Sequence, residues 1–269
     1  MASVLHQPRG ASFGQALSTQ ARVIGALLLR ELHTRYGREN VGYLWLIGEP
    51  LMLASVMALL HTNGHTQFGS DIKPLPFTVL GYTTYIMFRG IVNRSEGALE
   101  ANAPLLYHRQ VTVLDMVLAR SLLEAAGTFL AYAVLMTLLI GLGLASAPVR
   151  PLFLAAALAL MFWYSLGHAL IITAATFENR LVERFVHPFT YFMIPLSASF
   201  YQVEWIPNPY RAWLLWMPLP HIFELARYGQ FRAATLRYFD GFYLVGACVV
   251  LTWAGLLMLR IARTKIHLH

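Results

Sequence analysis

The sequence predicts an all-α, polytopic membrane protein, and three observations lead there. The chain is 57% hydrophobic and only 12% charged over 269 residues, where soluble domains carry about a quarter charged residues. Its apolar residues gather in six stretches of roughly the ~20 residues that a helix needs to cross a bilayer. The segment leading into the first stretch is amphipathic and arginine-rich, as in a helix lying in the membrane interface. The net charge of +7 is divided among loops between apolar runs. That pattern fits basic loops facing a cytoplasm and anionic lipid, with no nucleic-acid partner. The one cysteine, Cys248, stands in an apolar run, so no intramolecular disulfide is expected.

The elements follow in chain order. The interfacial helix is expected over 14–37. At about 100° per residue, Leu17, Ala21, Ile24, Leu28 and Leu32 share one sector, while Thr19, Arg22, Arg30 and His33 face away. Arg35 points into the apolar sector and marks the helix end. Met1–Gln15 has neither an apolar core nor a small-residue cleavage pattern, so no cleaved signal peptide is expected. Gly37 and Gly42 then bend the chain into the first span.

The transmembrane helices are expected over 42–61, 75–92, 113–144, 152–177, 185–201 and 242–261. The third is long for one crossing, so its first turns stand outside the lipid. Between these helices lie a polar loop (62–74), a charged one (94–111), a short turn (145–150) and a second charged loop (178–187). Arginines concentrate in the N-terminal arm, in the second and fourth connections and at the C-terminus, which puts both termini in the cytoplasm.

Residues 202–240 are too many for a turn and too apolar for a solvated loop. They hold Trp205, Trp213, Trp216, Tyr210, Phe223, Tyr228 and Phe231 among Pro207, Pro209, Pro218 and Pro220. Short aromatic helices between prolines fit a re-entrant pair dipping into the outer leaflet. They fit interfacial anchoring equally well.

The chemistry begins with what is missing. A phosphate-cradling loop needs glycine directly before its lysine, but Lys73 and Lys265 follow Ile72 and Thr264. This chain therefore has no Walker site of its own. HExxH, paired cysteines and GxSxG are absent too. His61 and His65 have a metal-compatible spacing, but Asn63-Gly64 between them breaks a helix, so no metal is expected.

Charges within the apolar runs are costly and therefore informative. Glu49 lies mid-span before Pro50, where a kink is expected. Arg89 follows Tyr82 and Tyr85 at the inner end of the second span. Arg120 and Glu124 lie four apart and can pair on one helix face. Either these charges neutralise one another between packed helices, or Arg89 and Arg94 line a water-filled route for an anionic head group. The spacing does not decide.

The segment RYGRENVGYLWLIGEPL, Arg35–Leu51, resembles the start of polysaccharide-export ABC-2-type permeases, most closely the capsular polysaccharide export (KpsM-like) group. Arg35, Tyr36, Gly42, Tyr43, Trp45 and Pro50 match that pattern, and Asn40 stands near its usual serine. Pro218–Arg227, PLPHIFELAR, resembles the family's N-P-x-x-H-x-x-E-x-x-R through His221, Glu224 and Arg227. Here Met217 replaces the asparagine.

The resemblance implies a permease with no cofactor of its own. It would act as a homodimer bound to two copies of a separate ATPase, which would hold ATP and Mg. A periplasmic co-polymerase or adaptor and an outer-membrane channel would complete a system exporting a lipid-linked acidic polysaccharide from a bacterial inner membrane. The substrate path would involve Tyr43, Trp45, Glu49, Tyr82, Tyr85, Arg89, Arg94 and Tyr201. The interfacial helix would touch the ATPase through Arg30, Arg35 and Arg38. The coupling loop would do so through Asn102, Leu105, Leu106, Tyr107 and Arg109.

Two alternatives stay open. An ABC-2 permease for another cargo (an O-antigen, a teichoic acid glycan or a small molecule) would have the same spans. The other is a membrane-embedded enzyme or ion-coupled carrier acting alone. Such a carrier would usually show internal repeats, and none is evident between the first and last three spans. An enzyme would need a convergent catalytic set, where only isolated His and Glu residues stand.

Overall fold

The computed structural model describes residues 13–36, five positions between 48 and 56, residues 72–101 and residues 111–266. The expected first span, 42–61, therefore lies almost wholly outside the described residues, with Tyr43, Trp45 and Glu49. So do 102–110, with the coupling-loop residues Asn102 to Arg109. Among the described residues every regular element is helical. α1 is Phe13–Tyr36, α2 Pro74–Asn93, α3 Ala98–Ala101, α4 Val113–Gly141, α5 Pro151–Glu178 and α6 Arg180–Ser197. A 3-10 turn, Val203–Trp205, precedes α7 (Tyr210–Leu214), α8 (Pro218–Gln230) and α9 (Gly241–Ile266).

Three of these, α4, α5 and α9, are long and apolar enough to cross a membrane. The chain is thus a polytopic helical membrane protein. α4 has 29 residues, about 43 Å at 1.5 Å per residue, which exceeds a hydrocarbon core of about 30 Å. Its start is fixed by a capping box in which Thr112 and Asp115 satisfy each other's backbone N–H groups. α2 and α5 each begin with a proline in their first turn, where the missing N–H costs nothing.

The charged loop expected over 178–187 is not there. Only Asn179 interrupts the helices, and its side chain caps α6 by accepting from the Leu181 N–H at 2.9 Å. α6 therefore begins five residues before the expected Phe185. It ends at Ser197, because Ala198 takes a left-handed conformation (φ 61°) that stops a helix. Pro188 and Pro195 lie inside α6, both exposed on its outward face with Tyr191 between them.

α9 against α5 is the most extensive helix pair, followed by α8 against α5 and α4 against α2. Glycine makes the closest approaches possible. A Cβ on Gly255 of α9 would lie 2.6 Å from Leu170 Cβ of α5, and one on Gly229 of α8 would lie 2.4 Å from the Leu154 backbone nitrogen. Neither place admits a side chain.

One core joins α2, α5, α8 and α9 around Phe88, Ile91, Met161, Leu170, Ile222 and Leu244. A second joins α2, α4, α5 and α8 around Phe77, Leu80, Tyr132 and Ala226. The bundle has two unlike ends. Residues 93–101, 111–112 and 178–187 meet at a charged end, and residues 141–151 and 198–240 at an aromatic end.

Candidate functional site

At the aromatic end the three residues of PLPHIFELAR act on the backbone around α8. The helix is buried except at Pro218 and Tyr228. A buried guanidinium needs a carboxylate and further acceptors, and Arg227 has both. It pairs with Glu224 at 3.1 Å, donates to the carbonyls of Ala198 and Ser199, and lies 4.5 Å from the centre of the Phe77 ring. Glu224 also accepts the Val203 N–H at 3.4 Å. His221 bridges in two directions, with Nε2 3.0 Å from the Leu215 carbonyl and Nδ1 accepting the Asp240 N–H at 3.0 Å. An acceptor at Nδ1 places the proton on Nε2, so the ring is the neutral Nε2–H tautomer. The motif thus ties α8 to the end of α6, to the 3-10 turn and to the start of α9.

The other end of α8 is held by residues that sequence reasoning passed over. Arg150 donates to the carbonyls of Tyr228 (2.8 Å) and Phe231 (3.2 Å) and stacks on the Tyr228 ring at 4.0 Å. Gln230 accepts from the Tyr132 hydroxyl at 2.9 Å and donates to the Ser146 carbonyl at 2.9 Å. The available signal was Arg150-Pro151, a cation at a helix start with no charged neighbour.

At the charged end a chain of ion pairs joins three helices. Glu31 of α1 pairs with Arg120 of α4 at 3.2 Å, and Arg120 donates to the Arg94 carbonyl at 3.3 Å. Arg94 pairs with Glu124 at 2.5 Å. Arg120 and Glu124 stand four apart, a spacing at which they can pair, and each also has a partner from another segment, so the charges bind helices together. Gln20 adds a hydrogen bond to Asp115, and α1 is thereby docked on α4 at two heights. The carboxylates after α2 reach α6, with Glu96 3.6 Å from His187 and Glu100 3.4 Å from Arg180.

The expected path residues fall into two groups. Tyr82 and Tyr85 are buried, Tyr82 against the Phe200 ring at 6.0 Å and Tyr85 donating to the Thr190 carbonyl. Tyr201 donates to the Pro195 carbonyl at 2.5 Å. Arg89 differs. Its guanidinium lies 4.2 Å from the centre of the half-exposed Tyr191 ring and donates to that hydroxyl at 2.5 Å. Among the described residues it has no carboxylate partner. One turn further, Thr190 donates to Asn93 Oδ1 at 3.0 Å, so the α2–α6 seam is polar. Arg94 is engaged with Glu124, as described above.

Of the expected ATPase contacts, Arg30 is exposed on α1, while the Arg35 side chain and Arg38 lie outside the described residues. Within the expected coupling loop, 94–111, Ala98–Ala101 is helical. No group of three or more metal-ligating side chains occurs among the described residues.

A buried motif with one ion pair, a charged helix junction and an arginine stacked on a tyrosine occupy a bundle that the family model described as "ABC-2 type transporter" matches over residues 22–231. The chain belongs to the ABC-2 transporter family. Among relatives of this ABC-2 chain, a capsule polysaccharide export inner-membrane protein, CtrC, of Neisseria meningitidis serogroup B is 37% identical over 92% of this chain and 93% of its own length. The capsule polysaccharide export inner-membrane protein BexB of Haemophilus influenzae is 34% identical over 93% of this chain and 94% of its own. The polysialic acid transport protein KpsM of Escherichia coli is 34% identical over 77% and 81%. The ABC-2 match reaches from α1 to the end of α8, so it includes both the charged junction and the motif.

Proposed function

We propose that this chain is the permease subunit of an ABC exporter that carries a lipid-linked acidic capsular polysaccharide across a bacterial inner membrane. The observation that carries this reading is similarity of more than 30% along nearly the whole chain to proteins named for capsule export. The lack of a Walker site assigns ATP and Mg to a separate ATPase, two copies of which serve a homodimer of this chain.

Six spans place the charged end and both termini in the cytoplasm and the aromatic end outside, with 202–240 as the re-entrant segment. A periplasmic adaptor and an outer-membrane channel continue the route. The ATPase meets α1 around Arg30, Arg35 and Arg38, and the coupling loop through Asn102, Leu105, Leu106, Tyr107 and Arg109. The Glu31–Arg120–Arg94–Glu124 chain passes their movement to α2 and α4. The path runs along the α2–α6 seam. There Arg89 meets the phosphate of the lipid anchor, an intramembrane cation being a functional group by default. Tyr43, Trp45 and Glu49 face the path from the first span.

The test is purification of the complex from its host through this chain. Equimolar recovery of this chain and a P-loop ATPase, at two copies each, is expected. A chain recovered without any ATPase would overturn the reading. Arg109→Glu is expected to abolish co-purification of the ATPase while leaving the membrane level of this chain unchanged.

A further inference from the structure

At the aromatic end a groove of about 600 Å³ opens between the end of α7, the start of α8 and the residues entering α9. That volume is within the ~300–1,000 Å³ of small-molecule sites. Its floor is His221, whose ring lies 5.3 Å from that of Tyr243 and whose two nitrogens are both engaged. Trp216, 83% exposed, and Tyr243, 40% exposed, line it with aromatic surface. On the other side stand Arg237, Tyr238 and Asp240. The Arg237 guanidinium lies 5.6 Å from the Tyr238 ring centre and forms no ion pair among the described residues. Asp240 uses one oxygen to accept the Tyr243 N–H at 3.0 Å and is otherwise exposed.

We infer that this groove is a binding site for an acidic sugar residue of a glycan emerging on the outer face. Pyranose C–H faces stack on indole and phenol rings, a sugar carboxylate takes the forked guanidinium of Arg237, and sugar hydroxyls donate to Asp240. The aromatic lining of Trp216 and Tyr243 favours a sugar over a phospholipid head group, which has no flat C–H face to stack on a ring. The exposed Trp213 lies outside the groove. This site rests on the export reading and extends it, because it gives the chain a foothold after the membrane has been crossed.

The experiment uses the assembled complex in nanodiscs and short oligosaccharide fragments prepared from the host's own surface polysaccharide, with binding followed calorimetrically. Trp216→Ala and Arg237→Ala are each expected to weaken binding about tenfold. Arg237→Lys should lose less, and Trp213→Ala should bind as the unaltered complex does. Subunit stoichiometry and thermal midpoint show whether each variant is assembled.

Equal binding by all assembled variants, or none by the unaltered complex, overturns the site. So does loss of co-purified anionic lipid with glycan binding intact. Deleting the gene for this chain separates the two claims. If polysaccharide still reaches the surface, the export reading itself fails. If it does not, while groove variants bind normally, only the site fails.

Discussion

Arg227 and Glu224 form a pair that neither residue can leave alone. Both are nearly inaccessible, and the guanidinium also holds the carbonyls of Ala198 and Ser199. Removing one partner strands the other charge, at a cost of about 3–5 kcal/mol. Arg227→Ala is therefore expected to lower the thermal midpoint of the detergent-solubilised protein sharply or prevent its accumulation. The double change Glu224→Leu with Arg227→Met leaves no stranded charge and should be clearly less damaging in the same melt. A double variant as unstable as Arg227→Ala would mean that the hydrogen bonds to Ala198 and Ser199 dominate. His221, Glu224 and Arg227 were legible in the sequence as a set, from their spacing. That they point at backbone was not, because their backbone partners lie on other segments up to 29 residues away.

Elements were legible where apolar length alone decides. The helices expected over 75–92, 113–144, 152–177 and 242–261 appear as Pro74–Asn93, Val113–Gly141, Pro151–Glu178 and Gly241–Ile266. Legibility failed where charge sits on helix. Residues 180–187 read as loop because Arg180, Glu183 and Arg184 are charged, yet Asn179 caps them into α6 and Glu96 and Glu100 supply partners. α8 hides for the same reason, since a histidine, a glutamate and an arginine in 13 residues look solvated until their partners are known.

Packing at this scale predicts two outcomes. Gly255→Leu must force α9 off α5, and overpacking of this kind costs about 1–3 kcal/mol; a lower thermal midpoint checks it. Glu31→Ala removes the side chain through which α1 grips Arg120. With about 1.5–3 kcal/mol lost from a charged hydrogen bond, α1 should become susceptible to limited proteolysis between Arg22 and Arg30 while the other helices stay protected. Equal protease resistance would show that Gln20 and the apolar stripe suffice.

Across the whole molecule, rigid and loose parts are separated. α5, α8 and α9 are locked by glycine contacts and by the motif. α1, α2 and α4 are locked by ion pairs, and α2 also enters the cores beneath α8. α6 shares a polar seam with α2 and also buries Val186 and Met193 in the core. A transporter must keep one boundary mobile, and this seam is where Arg89 sits. Arg89→Ala is expected to abolish export of surface polysaccharide while leaving complex assembly unchanged, read by surface glycan staining beside subunit recovery. Normal export would remove Arg89 from the route. Its position near the C-terminal end of α2 was visible in the sequence. Its stacking on Tyr191 was not, because that contact spans 102 residues of chain.

The two prolines of α6 have a consequence for its surroundings. Proline carries no N–H, so the carbonyls of Arg184 and Tyr191, four residues before Pro188 and Pro195, receive no hydrogen from them. Both prolines lie on the outward face, two turns apart, beside a tyrosine hydroxyl already shared with a guanidinium. Hydrocarbon tails offer such groups nothing, and in lipid each unmatched carbonyl carries a penalty of several kcal/mol. If α6 crosses a membrane, those two carbonyls need water or a polar protein surface, while the exposed Phe185 and Phe192 of the same helix suit acyl chains.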